Sequence, residues 1–297
     1  MFTGLSAFPI TPFNNEGIDF KAFEAIINNL VQAKVDSICA MGSTGLYPYL
    51  NRKELSQVAK VTVEIADNIP VMAGIGSLRT LDVLRNAEAV QQASVSAVLL
   101  APMSYHRLND SEVYSLFEKV TRELSVPLCV YENPGATNFT FSNELYAEIS
   151  KLPNVAAIKL PGMPFETEAG DKKLSQLREI LPNNVAIGVS ADKFGAAGIA
   201  SGCDLWLSVL GGLFPKTVQA MILAAKTQTR IEAMTASAEF EKMWQLFARN
   251  RGGMRVMATA ADILGYTEGN CLPEPLQPLV GDDRKQLELL LRQRQLD

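Results

Sequence analysis

Eight short apolar runs recur along the chain, and nothing else in the sequence limits its fold so strongly. They begin near Leu5 (LSAFPI), Ser37 (SICAMG), Val71 (VMAGIG), Ala97 (AVLLAP), Pro127 (PLCVYENP), Val155 (VAAIKLPG), Val185 (VAIGVS) and Asp204 (DLWLSV). Each is bounded by turn residues and is apolar at nearly every position. A strand with one wet face alternates apolar and polar residues, whereas a strand buried on both faces reads as a continuous apolar run. The runs therefore predict parallel strands covered on both sides.

The intervening segments are amphipathic and carry helix starts. Asn51 with Glu54, and Asn109 with Glu112, have the spacing of a capping box, and Ser142 precedes the helix of Leu145 and Ile149. Phe23, Ile26, Ile27 and Leu30 recur at helical spacing. Strand, helix and strand in succession give right-handed βαβ units, and eight of them close into an α/β (β/α)8 TIM barrel. An open doubly wound sheet is the competing arrangement, but no Gly-x-Gly-x-x-Gly follows the first run. The eighth run ends near Leu210. Helices are expected over Thr217–Lys226, about Ile231–Arg249 and Asp283–Gln295, with the proline-rich stretch at Pro273–Pro278 as a loop between the last two. The division is thus a barrel core over residues 1–215 and a C-terminal helical extension over 216–297 that includes the last barrel helix.

Of the 297 residues, 47% are apolar and 20% charged, enough for a substantial core, and the formal charge is −5. With no basic run, nucleic-acid binding is not expected. No apolar run has membrane-spanning length, and the N-terminus lacks the pattern of a secretory leader, so a cytoplasmic protein without a membrane partner is expected. Cys39, Cys129, Cys203 and Cys271 form no Cys-x-x-Cys pair and read as reduced, buried residues. His106 is the single histidine, so neither a histidine-based triad nor a multi-histidine metal site is expected.

Barrel active sites lie at the C-terminal ends of the strands. Lys159 ends the sixth run among apolar neighbours. Desolvation disfavours an ammonium, and a neutral lysine amine attacks ketones to give an imine that withdraws electrons from the adjacent carbon. A lysine here can equally lay its stem along the barrel wall with its head in water. Tyr131 ends the fifth run, where a phenol can relay protons or simply fill the core. Gly42-Ser43-Thr44-Gly45 follows the second run, as an anion-binding turn or a plain βα connection. Tyr105 lies just past the fourth.

Taken in order, these features resemble the dihydrodipicolinate synthase and N-acetylneuraminate lyase family of class I aldolases. The resemblance covers nearly the whole chain and rests on Gly42-Ser43-Thr44-Gly45, Tyr131 with Asn133-Pro134, and Lys159. It implies that Lys159 forms a Schiff base with a 2-oxo acid and that Tyr131 relays protons. Ser43 and Thr44 would hold the carboxylate, with Thr44 also passing a proton toward Tyr131. It further implies that Gly188 and Leu207 line the pocket and that Tyr105 is exchanged between subunits of a homo-oligomer, a dimer or tetramer. The substrates would be pyruvate or a related 2-oxo acid and an aldehyde, with no cofactor and no metal.

Three positions depart from the pattern. Ala136 stands where the synthase carries an arginine for its second substrate, Leu46 replaces a frequent glutamate, and Leu160-Pro161-Gly162 lacks a frequent hydroxyl. The expected reaction is carbon–carbon bond cleavage or formation at the imine. The synthase reaction proper, a deoxy-sugar-acid dehydratase using the same lysine, and a barrel that only binds a 2-oxo acid are the alternatives.

Overall fold

The computed structural model describes residues 1–294 and 296. Its eight barrel strands are β1 (Gly4–Ala7), β2 (Ser37–Ala40), β3 (Val71–Gly74), β4 (Ala97–Leu100), β5 (Leu128–Tyr131), β6 (Val155–Lys159), β7 (Ala186–Val189) and β8 (Leu205–Ser208). All eight expected runs form strands. Each is parallel to its neighbours, and β1 pairs with both β2 and β8, so the barrel is closed. Closure leaves none of these strands with an unpaired edge.

Helices α1 (Phe20–Gln32), α2 (Arg52–Ala66), α3 (Thr80–Gln92), α4 (Asp110–Arg122), α5 (Asn143–Ile149), α6 (Glu168–Ile180), α7 (Gly195–Ala200) and α8 (Pro215–Thr227) follow the strands in turn. Both capping boxes form. Asn51 accepts from the Glu54 amide at 3.1 Å while the Glu54 carboxylate accepts from the Asn51 amide at 2.8 Å, and Asn109 with Glu112 repeats the arrangement. Ser142 caps α5 by accepting from Leu145. The core has two compartments. Phe8, Cys39, Met72, Leu99, Cys129, Ala157, Leu205 and Leu207 help fill the barrel, while the larger apolar set lies between strands and helices.

Four further helices follow: α9 (Arg230–Ala238), α10 (Glu241–Arg249), α11 (Met254–Ile263) and α12 (Gly281–Arg294). The single helix expected over Ile231–Arg249 is instead two. The Ser237 carbonyl accepts from the Phe240 amide and from the Trp244 indole, which ends α9 and turns the chain into α10. Helix α11 was not expected. The tail helix begins two residues before Asp283, and its expected last residue, Gln295, lies outside the described residues. A two-stranded hairpin, Phe13–Asn14 with Gly17–Ile18, is also new, and the Phe13 amide donates to the Cys271 carbonyl, tying the hairpin to the segment after α11. Among the described residues no helix is long and apolar enough to cross a membrane.

Candidate active site

The register of β5 and β6 places the two candidate residues side by side. Leu128 pairs with Val155, but Cys129 pairs with Ala157, so β6 gains one residue at Ala156. Counted without that bulge, Ile158 would stand opposite Tyr131. With it, Tyr131 pairs with Lys159, and Lys159 pairs on its other side with Gly188. Because side chains alternate along a strand, a one-residue slip exchanges the faces they occupy.

Lys159 is 3% exposed, and its Nζ lies 3.8 Å from the centroid of the Tyr131 ring and 4.0 Å from that of Phe8. Aromatic faces attract positive charge, so the two rings suit a nitrogen that becomes cationic as an iminium. Phe8, from the segment after β1, is held by its amide donating to the Ser208 carbonyl at 2.9 Å. A Cβ at Gly42 would stand 2.5 Å from the Phe8 ring, so only glycine lets the turn after β2 lie this close.

That turn carries Ser43. Its hydroxyl is 3.4 Å from the Tyr131 hydroxyl, and Asn133 Nδ2 donates to the same phenol oxygen at 2.9 Å and to Ser43 Oγ at 3.4 Å. The Thr11 hydroxyl donates to the Gly45 carbonyl at 2.8 Å and pins the far end of the turn. Ser43 is thus within reach of the Tyr131 hydroxyl, and Thr44, the next residue, is buried. Asn133 was legible only as part of a motif. Its role depends on the helical turn Pro134–Thr137, which begins immediately after it.

Gly188 and Leu207 adjoin this cluster. A Cβ at Gly188 would overlap the Leu207 side chain, so Leu207 occupies the space next to the backbone opposite Lys159. Tyr105 is 86% exposed, edge-on to His106, and makes none of the hydrogen bonds around Tyr131. Ala136 is exposed on the Pro134–Thr137 turn.

The buried titratable groups nearby were missed in the sequence, except the cysteines. Burial pushes the Cys129 thiol up to about 12 and that of Cys39 higher still, so neither is a thiolate nucleophile at neutral pH. Burial also raises the Glu132 carboxyl, which accepts from the Phe141 amide at 3.1 Å and from the Tyr146 hydroxyl. Asp192 accepts from Trp206 Nε1 at 2.9 Å, Ser208 Oγ at 2.6 Å and the Leu210 amide at 2.9 Å. Among the described residues no group of three or more His, Cys, Asp and Glu is placed to hold a metal ion.

A buried lysine on a barrel strand end, beside a hydrogen-bonded phenol, defines a lyase of the Schiff-base, class I aldolase type. The comparisons with known proteins agree. The family model described as "Dihydrodipicolinate synthetase family" matches residues 1–294. The chain is 30% identical to the 4-hydroxy-tetrahydrodipicolinate synthase of Rickettsia typhi over 75% of its own length and 74% of that protein's. It is 27% identical to the Bacillus velezensis enzyme of the same name, over 97% of each chain. A crystal structure of dihydrodipicolinate synthase from Agrobacterium tumefaciens superposes with a TM-score of 0.92 at 38% identity, covering 98% of this chain and 97% of that one. The chain belongs to the dihydrodipicolinate synthetase family.

Proposed function

We propose that Lys159 condenses with the ketone of pyruvate or a related 2-oxo acid and that the resulting imine makes or breaks a carbon–carbon bond to an aldehyde. The observation that carries this reading is the Lys159 amine, sequestered from water between two aromatic faces. The neutral amine adds to the carbonyl carbon, the carbonyl oxygen takes up protons and leaves as water, and the nitrogen ends as a protonated iminium. The iminium draws electrons from the neighbouring carbon: in condensation that carbon gives up a proton, and the resulting enamine adds to an aldehyde whose oxygen takes up a proton; in cleavage the hydroxyl loses its proton, the aldehyde departs, and the enamine carbon takes up a proton. The iminium is its own electron sink, so the scheme uses no organic cofactor and no metal.

Tyr131 takes the proton from the substrate hydroxyl in cleavage and returns it in condensation. Its phenol oxygen is held by Asn133 and by Ser43, and the adjoining hydroxyls of Ser43 and Thr44 pass that proton onward. The Gly42–Gly45 turn receives the 2-oxo acid carboxylate through Ser43, Thr44 and backbone amides, and Gly188 and Leu207 bound the pocket below. Incubation with pyruvate and borohydride, followed by peptide mass spectrometry, tests the assignment. A reduced adduct at Lys159 is expected, and a protein left unmodified would overturn it.

The second substrate is an aldehyde without the carboxylate that the synthase arginine would grip, because exposed Ala136 offers no charge-assisted contact. Efficient condensation with aspartate semialdehyde would refute this and support the synthase reaction proper.

The working form is a homo-oligomer. Tyr49, Leu78, Leu81 and Tyr105 are exposed near the C-terminal ends of β2, β3 and β4, where Met103 and Leu108 add apolar surface. Exposed apolar patches of this kind mark association surfaces, and a second copy would cover Tyr105. Four free, buried cysteines fit a reducing compartment and hence the cytoplasm.

A further inference from the structure

The chain leaves the barrel directly after Tyr131. The Glu132 amide makes the last rung of β5 by donating to the Lys159 carbonyl at 3.1 Å. Asn133 follows at φ −142°, outside the helical region that Pro134 disfavours for the residue before it. Three donors hold its carbonyl: the Ala136 and Thr137 amides at 3.0 and 2.9 Å, and the Thr137 hydroxyl at 3.0 Å. Thr137 is itself buried. The backbone of Asn133 is thereby fixed, and its side chain is brought back to the Tyr131 hydroxyl.

There the amide nitrogen donates to two oxygens, the phenol oxygen of Tyr131 at 2.9 Å and Ser43 Oγ at 3.4 Å, which are themselves 3.4 Å apart. A side-chain amide nitrogen has two hydrogens to give and accepts none, whereas each hydroxyl gives one and can also accept. With Asn133 donating to both oxygens, the hydrogen that Tyr131 carries points elsewhere: toward Ser43, or toward a substrate on Lys159, whose Nζ lies 3.8 Å from the centroid of the same ring.

We infer that Asn133 is a further catalytic residue of this site: its side-chain amide stabilises negative charge on the Tyr131 oxygen during proton transfer and turns the phenol hydrogen toward Ser43 and the substrate. The inference rests on the Schiff-base reading of Lys159 with Tyr131 as its relay. In cleavage the Tyr131 oxygen takes the proton of the substrate hydroxyl and gives its own to Ser43 Oγ, which passes its hydrogen on. The electron pair left on the substrate oxygen becomes the aldehyde carbonyl as the carbon–carbon bond breaks and its electrons enter the iminium. Condensation runs each transfer backward. Whenever one proton departs before the other arrives, the phenol oxygen is a phenolate, and a donor already in place meets that charge without reorganisation. A hydrogen bond to a charged oxygen is about twice as strong as one to a neutral oxygen, so Asn133 favours the transfer over the resting phenol.

The test is a double-mutant cycle of Asn133→Leu with Tyr131→Phe. Leucine keeps the approximate size and removes both donors, and phenylalanine removes the oxygen they serve. Condensation of pyruvate with glycolaldehyde is followed by steady-state kinetics, beside borohydride trapping of pyruvate alone. N133L is expected to lose about 10²- to 10³-fold in turnover, the range for one donor to a developing oxyanion, and to keep trapping within about threefold of wild type. In the Y131F background the same change is expected to cost less than about threefold, because residues acting through one atom are not additive. Wild-type turnover in folded N133L, or a full additive loss in the double variant, would overturn the inference. Asn133→Asp guards against a misfolded N133L. A carboxylate accepts but does not donate, so N133D is expected to be at least as slow as N133L, and near wild-type turnover in N133D would overturn the inference. If the wild type does not turn over glycolaldehyde, tyrosine labelled with 13C at Cζ decides. The Tyr131 resonance, identified by its absence in Y131F, is expected to move in N133L, and an unmoved resonance would overturn the inference. Absence of trapping in wild type would instead refute the role of Lys159.

Discussion

At the scale of single residues the proposed mechanism divides the work between one amine and one phenol. Lys159→Ala should retain the fold and lose turnover by roughly 10⁴-fold or more, since no other amine takes its place. Tyr131→Phe keeps the ring beneath Nζ and removes only the hydroxyl, so the pyruvate adduct should still form while turnover falls by about 10²- to 10⁴-fold. Steady-state kinetics beside borohydride trapping separates the two effects. Glu132 gives a prediction about pH. Burial holds its carboxyl above the usual 4.5 in the folded protein, so folding tightens its proton. The stabilisation this provides is fully present below about 4.5 and is lost as pH rises through the higher folded value. Wild type should therefore lose melting temperature relative to Glu132→Gln as pH climbs from 4.5, and parallel melting curves would refute this. Lys159 and Tyr131 could be picked out because each closes an apolar run, but only the family resemblance attached roles to them. Asp192 could not be picked out. Next to Ser190 and Lys193 it reads as one more polar residue in a loop, and only the folded chain brings Trp206 and Ser208 to it.

At the scale of elements, local signals and tertiary packing contributed differently. The capping boxes at Asn51 and Asn109 are contained in four residues each, and both form where the spacing placed them. Asn51→Ala should cost about 1 kcal/mol of stability with little effect on turnover, as read by denaturant unfolding and kinetics. Helix α11 carried no such signal. It has no side-chain cap, and Val256 through Ala261 are buried without a break, so the polar stripe that would reveal its period is missing. The hairpin at Phe13–Asn14 is only two residues per strand and is tied by a hydrogen bond to Cys271, a partner far along the chain. The bulge at Ala156 was equally hidden, because alanine is ordinary in an apolar run and register exists only between strands.

At the scale of the whole molecule, the barrel's rhythm was readable because all eight strands are buried on both sides and repeat one supersecondary unit. The proposed association surface was less so, since Leu78 looks like an ordinary residue ahead of a helix until the fold places it with Met103 and Leu108. Leu78 is 62% exposed, so Leu78→Glu should leave each chain folded and shift the sedimentation velocity profile toward monomer. An unchanged profile would remove this surface from the interface.

The pairing of β1 with β8 has a consequence in time. The lysine's pocket needs Phe8, near the start of the described chain, and Phe8 is held by Ser208, two hundred residues later. A ribosome will have released Lys159 well before that seam can close. Until then the nascent barrel presents two uncovered strand edges, open to aggregation and to chaperones. The proposed reactivity of Lys159 toward a ketone therefore has to wait for that seam. A chain cut short before Leu205 would own the lysine without the carbonyl that holds Phe8 against it.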